Sequence, residues 1–501
     1  MIKENLQENI DEIKKGLGAE NIVVVKRFYI GEIPLEAALI YVDGQVDKNI
    51  VDGDVLNPLM SNIREKLEIS EGLCDYLCKR YIISSNVWLE TEINNIVTVV
   101  KRGKTVVLIE KAVNCIIIDS TGGKFRDISE PENEVAIRGA RDGFVEDLKT
   151  NLSILRRKIK DNNLKIDQLV VGRRSQTDVA LVYLNDIADE DVVNEIKRRI
   201  NDIDVDIVSA TGILDQLIEN YPFSFFPQSM GSERTDVITN CIMDGKVAII
   251  LNGTPYVIVL PTMFIDFFQS VEDYYERILV ANFTRILRIL ATFIVITLSP
   301  MYLTLVRYNA ELIPIKFITP IIQSRIGIAL TPFLEILVTE IIIEFLREGG
   351  LRLPSKIAQT ISVVGGIIIG DTAVKSKIVS PTTLFVVGVS VVASFLIPNY
   401  DMALSIRTLR FPMLILANFL GIFGIGIGCF FIIVNLCSLD SLGVPYFALN
   451  LSDMKDTFIR APMWKMNRRP KSVPNKNPHR QTDFRYKWGK TRRKKNEESG
   501  E

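Results

Sequence analysis

From residue 411 to residue 439 the chain runs 29 residues without a charged side chain, and no other feature limits its fold as strongly. At 1.5 Å per residue, a helix of that length exceeds the roughly 30 Å hydrocarbon layer of a bilayer. Residues 289–306 and 378–400 are also free of charge, and residues 326–346 are equally apolar apart from Glu335, Glu340 and Glu344. These stretches predict an α-helical membrane domain over residues 287–450, with about four spans near 289–306, 326–346, 378–397 and 411–437. Residues 357–370 add only 14 uncharged positions, about 21 Å as a helix. They read as one short re-entrant segment, held against protein or a wet cavity.

Upstream the pattern is α/β. The first residues, MIKENLQENIDEIKKGL, are polar with helical spacing and no apolar core, so no signal peptide is expected. NIVVV, AALIYV, NIVTVV, TVVLIE and NCIIIDS read as strands, being rich in β-branched residues and closed by turn residues. After the acidic linker RDISEPENE comes a second block. It reads as helix, strand KIDQLVVG, strand TDVALVYL, helix DEDVVNEIKRRI, strand DVDIVSA, helix GILDQLIEN and the hairpin KVAIIL-NGTP-YVIVL. The Asn252-Gly253 turn supplies the positive φ of a tight hairpin. Two small α/β domains are therefore expected, at 1–130 and 131–262. An amphipathic interfacial helix (263–286) and a basic tail (451–501) flank the membrane domain. No repeat with a period of 20–50 residues is visible.

Charge sets the topology. Residues 460–501 carry 14 Lys/Arg against 4 Asp/Glu, so a formal charge of −1 for the whole chain conceals a strongly basic tail. The positive-inside tendency places that tail, and with it the C-terminus, in the cytoplasm. An N-terminal region without an export signal shares that side, which requires an even number of spans. One histidine in the chain, His479, sits in a Pro- and Arg-rich tail, which argues against imidazole catalysis and His-rich metal sites. Cysteines 74, 78, 115, 241, 429 and 437 form no close-spaced framework. No nucleophile, metal set or cofactor loop stands out, and neither an enzyme nor a nucleic-acid binder is expected.

Gly103-Lys104-Thr105 resembles the end of a phosphate-binding loop, but its first glycine would fall at Thr98, inside what reads as a hairpin. The segment Arg138-Gly139-Ala140-Arg141-Asp142-Gly143 has two readings. It is either an anion site at a helix N-terminus or a domain-joining loop whose arginines pair with acids such as Glu146 and Asp147. In residues 261–280, Phe264, Phe267, Phe268, Val271, Tyr275 and Ile278 lie at helical spacing, which suits a membrane-interface elbow or a helix packed on soluble protein. Glu335, Glu340 and Glu344 are the sharpest chemical feature. An ionisable group inside a bilayer costs roughly 2.5–3.5 kcal/mol on insertion scales, so it faces protein or water. Glu340 and Glu344 are one turn apart, whereas Glu335 lies about 140° round from Glu340. They line a cation path or gate together with Gly365, Gly366 and Gly370, or they hydrogen-bond between helices with Glu344 beside Arg347. Gly424 and Gly428, spaced as GxxxG, mark close helix packing and suggest oligomerisation.

Several stretches together resemble the GerA family of spore germination proteins. They are PYVIVLPTMFIDFFQSVEDYYERI, IVSPTTLFVVGVSVVASFLIPNY, SIRTLRFPMLILANFLGIFGI, LCSLDSLGVPYFAL and RGARDGFVEDLKTNLSILRRKI. The family's Glu-Arg-Pro-Asp stands here as Glu233-Arg234-Thr235-Asp236. The resemblance, over roughly residues 20–450, implies the A subunit of a nutrient germinant receptor in the spore inner membrane. It implies partners too: a transporter-like B subunit that binds the germinant, a lipoprotein C subunit, and further copies of this chain in a ring that forms a ligand-gated ion channel. An auxiliary germination membrane protein associated with the dipicolinic-acid channel, or a secondary transporter, are the alternatives.

Overall fold

The computed structural model describes residues 2–17, 23–31, 35–65, 67, 72–120, 122, 131, 134, 138–351, 366, 370–448, 450, 453–457, 459–482 and 485. They form two compact units. The first comprises residues 1–219, 231–261 and 468–480; the second, residues 220–230, 262–467 and 481–501.

The first unit holds two five-stranded sheets. Its elements begin with α1 (Leu6–Leu17), β1 (Val23–Ile30), β2 (Leu35–Val42), a π-helical turn (Ile50–Leu56) and α2 (Asn57–Ser61). Then come α3 (Leu73–Arg80), β3 (Val87–Glu90), α4 (Ile93–Lys101), β4 (Thr105–Ile109) and β5 (Cys115–Ile118). The second sheet is built from α5 (Leu148–Lys158), β6 (Leu164–Val171), β7 (Thr177–Leu184), α6 (Glu190–Asp202), α7 (Thr211–Ile218), β8 (Met230–Ser232), α8 (Thr235–Met243), β9 (Val247–Leu251) and β10 (Val257–Leu260). Every residue of β4, β5, β9 and β10 is buried. That is the burial of strands covered on both faces, and it explains their unbroken β-branched runs. The carboxylates of Asp147 and Asp189 cap α5 and α6 by accepting from Thr150 N and Asp191 N.

The two sheets are the same fold twice. Their strand orders, β1-β2-β4-β5-β3 and β6-β7-β9-β10-β8, are identical in local numbering. The helix, turn and strands at Ile93, Thr105 and Cys115 recur at Thr235, Val247 and Val257, each 142 residues on. Gly103-Lys104 recurs as Gly245-Lys246, with both glycines at positive φ (80° and 100°). So Gly103-Lys104 closes a helix–turn–strand rather than the hairpin expected. NIVTVV is corrected from strand to helix α4, because Ile93, Ile96, Val97 and Val100 fall on one helical face and bury there. DVDIVSA forms no strand, and Ile207 is exposed. A period of 142 residues lies far beyond the range in which repeats are sought by eye.

Residues 468–480 belong to this unit, so the tail is not one free basic segment. Val473 is buried, Lys476 N donates to Ile187 O at 2.9 Å and Arg469 Nε to Met243 O at 2.8 Å. Lys476 pairs with Glu190 at 2.7 Å and Arg480 with Asp244 at 3.3 Å.

The second unit is helical. The interfacial helix expected over 263–286 is instead three pieces: a 3-10 turn (Phe264–Phe268), α9 (Glu272–Tyr275) and the start of α10 (Ile278–Arg307). The cause is local. Asp266 and Asp273 fold back to accept from Met263 N and Ser270 N, in competition with a continuous helix. Phe267 is buried beside Tyr446, and Phe264 touches Phe226, Phe268 and Phe447. These aromatics are therefore packed in protein. Beyond α10 come α11 (Ile315–Arg325), α12 (Pro332–Leu351), α13 (Gly370–Lys375), α14 (Pro381–Ser394), α15 (Tyr400–Leu420) and α16 (Ile422–Ser438).

The single span expected over 411–437 is a hairpin of α15 and α16. At Gly421 the backbone takes φ 59°, ψ −137°, a conformation only glycine adopts without strain. Two described helices are long and apolar enough to cross a bilayer: Ile278–Arg307 and Tyr400–Leu420. Of the short segment 357–370, Gly365 lies outside the described residues.

Candidate functional site in the helical unit

Cross-helix bonds give each helix a direction. Tyr302 on α10 meets Thr382 on α14 at 3.0 Å, while Ser390 donates to Val295 O at 3.4 Å, so these two helices run antiparallel. Glu335 accepts from Ser380 N at 2.6 Å and Arg347 donates to Ser394 at 3.3 Å, so α12 runs with α14. Arg307 and Tyr308, at the end of α10, bond to Asn418 near the end of α15. A Cβ on Gly424 would collide with the Leu416 carbonyl, and one on Gly428 would lie 2.5 Å from Met413 Sδ. Those two glycines therefore pack within the α15–α16 hairpin. Gly366 is exposed with open space around it, and Gly370 faces Leu384.

Along α12 the three glutamates are each matched by arginine. Glu335 pairs with Arg325 of α11 at 2.6 Å. Glu340 pairs with Arg410 of α15 at 3.3 Å, both side chains being inaccessible to solvent. Glu344 meets Arg410 at 3.2 Å and both Arg407 and Arg347 at 3.5 Å. The offset of Glu335 round the helix is visible in its partners, since it turns to α11 and α14 while Glu340 and Glu344 share Arg410. The expected acidic stripe is thus a ladder of three carboxylates and four guanidiniums, in which each charge faces an opposite one. Four polar atoms within it, Glu340 Oε1 and Oε2, Arg410 Nε and Ser299 Oγ, have no hydrogen-bond partner among the described residues.

A second network lies at the start of α10. Arg285 contacts Asp273 and Asp456 at 3.0 Å each, and Arg288 contacts Asp273 at 2.7 Å. Arg460 donates to Asp273 O at 2.5 Å and lies over the Tyr274 ring. The chain leaving α16 is thereby clamped to the entrance of α10.

Arg407 and Arg410, one turn apart in SIRTLRFPMLIL, are absent from the sequence-based candidates, although two arginines on an apolar helix signal a need for buried partners. Asp142 pairs with Lys158 at 2.9 Å and accepts at its carbonyl from Thr235, joining the linker to α5 and α8. Arg138 and Arg141 are exposed. Arg234 and Asp236 form a buried two-pronged pair at 2.8–3.1 Å. Among the described residues no group of His, Cys, Asp and Glu side chains is placed to hold a metal ion.

The profile of the Bacillus/Clostridium GerA spore germination protein family matches residues 11–472, and the chain belongs to that family. It is 35% identical over 486 residues to spore germination protein KA of Bacillus subtilis, covering 96% of this chain and 89% of that one. It is 33% identical over 476 residues to spore germination protein GerLA of Bacillus cereus, covering 94% and 96%. The crystal structure of the N-terminal domain of the A subunit of the Bacillus megaterium spore germinant receptor GerK3 matches 52% of this chain and 97% of its own, at 28% identity and a TM-score of 0.40.

Proposed function

We infer that this protein is the A subunit of a nutrient germinant receptor in the spore inner membrane, an oligomeric ligand-gated channel that releases cations to start germination. The ladder carries this reading. A closed row of ion pairs inside a helical unit is stable while shut, yet parting it uncovers carboxylates, the groups that favour cations in a pore. Family membership and germination-named relatives along at least 94% of the chain support the setting. The opposed directions of the first and last helices support an even number of membrane passes, and the basic tail supports the cytoplasm as the side that holds both termini. B and C subunits, further copies of this chain and the bilayer are the partners. No enzymatic step is assigned.

The test is potassium release from spores carrying Glu335→Gln and Glu340→Gln together, with chain abundance followed in parallel. Altered release at normal abundance supports the gate. Release indistinguishable from wild type removes the carboxylates from the path.

A further inference from the structure

Where the two sheet repeats meet, α4 and the residues after β2 face α5 and the start of β6 across a small half-open pocket of about 40 Å³. Its polar lining comes from Gln45, Lys101, Arg156, Lys160 and Asp161, beside apolar residues that include Ile159 and Leu164. Two of its atoms are buried without a partner among the described residues: Arg156 Nη2, a donor, and Gln45 Oε1, an acceptor. Burial pulls the Arg156 guanidinium down to about 10, and no described acid offsets it. Asp161 at the rim acts on Lys101, which is itself held by Gly16 O and Asn162. An uncompensated buried cation is costly, and proteins place one where an anion completes it.

The second repeat supplies a control within the same chain. Its positions equivalent to Gln45 and Lys101 are Ile187 and Met243, 142 residues on. There the junction is covered by the tail segment 468–480, with Ile187 and Val473 buried. Arg469 and Lys476 of that segment donate to the carbonyls of Met243 and Ile187 there. The first junction leaves Gln45 Oε1 and Arg156 Nη2 buried without a partner among the described residues, and the backbone of its glutamine is held in place. Gln45 O accepts from Gly122 N at 3.1 Å, and a Cβ on Gly103 would lie 2.7 Å from that same oxygen. The glycine of the Gly103-Lys104 turn thus permits the close approach that sets Gln45.

We propose that this pocket binds a small oxyanion bearing a protonated oxygen, with hydrogen phosphate the simplest case. Arg156 donates to the anion, Lys160 adds charge at the mouth, and Gln45 Oε1 accepts the remaining O–H. Sulfate, with no proton at neutral pH, satisfies Arg156 but not Gln45 and binds more weakly.

Titration of the full-length, detergent-solubilised protein with inorganic phosphate, read by calorimetry, tests this. Saturable binding is expected, about ten-fold weaker in Arg156→Gln, partly kept in Arg156→Lys, and weaker for sulfate than for phosphate in wild type. Phosphate should raise the Tm of wild type and leave that of Arg156→Gln unmoved, whereas a merely structural arginine gives a Tm loss with no phosphate dependence. Competition by glycerol phosphate at lower concentration than phosphate assigns the anion to an ester, and weaker competition assigns it to the free ion. Absence of saturable binding, or equal binding by Arg156→Gln, overturns the proposal.

Discussion

Glu340 and Arg410, seventy residues apart in sequence, face one another at 3.3 Å with neither side chain reached by solvent. Removing one partner leaves the other charge buried alone, a loss of about 3–5 kcal/mol, whereas replacing both with apolar residues is close to neutral. Arg410→Met and Glu340→Leu should each lower stability in detergent by that order, and the double variant should recover most of it. Additive losses in a double-mutant cycle contradict the pairing.

The α15–α16 reversal depends on backbone contact. Gly424→Ala places a methyl group against the Leu416 carbonyl, and overpacking of this kind costs about 1–3 kcal/mol. Gly426→Ala, with open space around it, is the matched control and should be nearly silent. Equal melting shifts for the two variants would argue against the hairpin.

Thiol reactivity should divide the cysteines. Burial pushes the Cys74 thiol up to about 11 and those of Cys78 and Cys115 up to about 12, so almost no thiolate exists at neutral pH. Cys437 is exposed. Maleimide mass shifts on native protein should locate rapid modification at Cys437, with Cys74 and Cys115 modified only after denaturation.

Glu219 gives the sheet unit a pH dependence. Burial, with Asp215 nearby, lifts its carboxyl from 4.5 to about 7. The folded state therefore holds the proton more tightly than the unfolded chain. The contribution is complete below about 4.5 and is lost as pH rises through about 7. The Tm of Glu219→Gln relative to wild type should climb between pH 5 and pH 8; a flat difference counts against the shift.

Much of this was legible in the sequence, and the failures share causes. Charge-free runs located the helical half, and alternating β-branched runs located most strands. The helix α4 was misread because Val97, Val99 and Val100 carry strand propensity, while burial at Ile93, Ile96, Val97 and Val100 follows helical spacing. The chain reversal at Gly421 was hidden because an uncharged run records polarity and not backbone direction. Glu335, Glu340 and Glu344 stood out as costly residues. Their neutralisation did not, because Arg325, Arg407 and Arg410 reach them only through tertiary packing.

The repeat also bears on assembly. In a head-to-tail stack of like units, each copy covers its neighbour, and the last is left with a vacant docking face. Such a face invites another molecule, and contacts that do not close grow into filaments. Residues 468–480 lie on that face of the second repeat, over Ile187 and Met243. The tail thus covers the face on which a third like unit would dock.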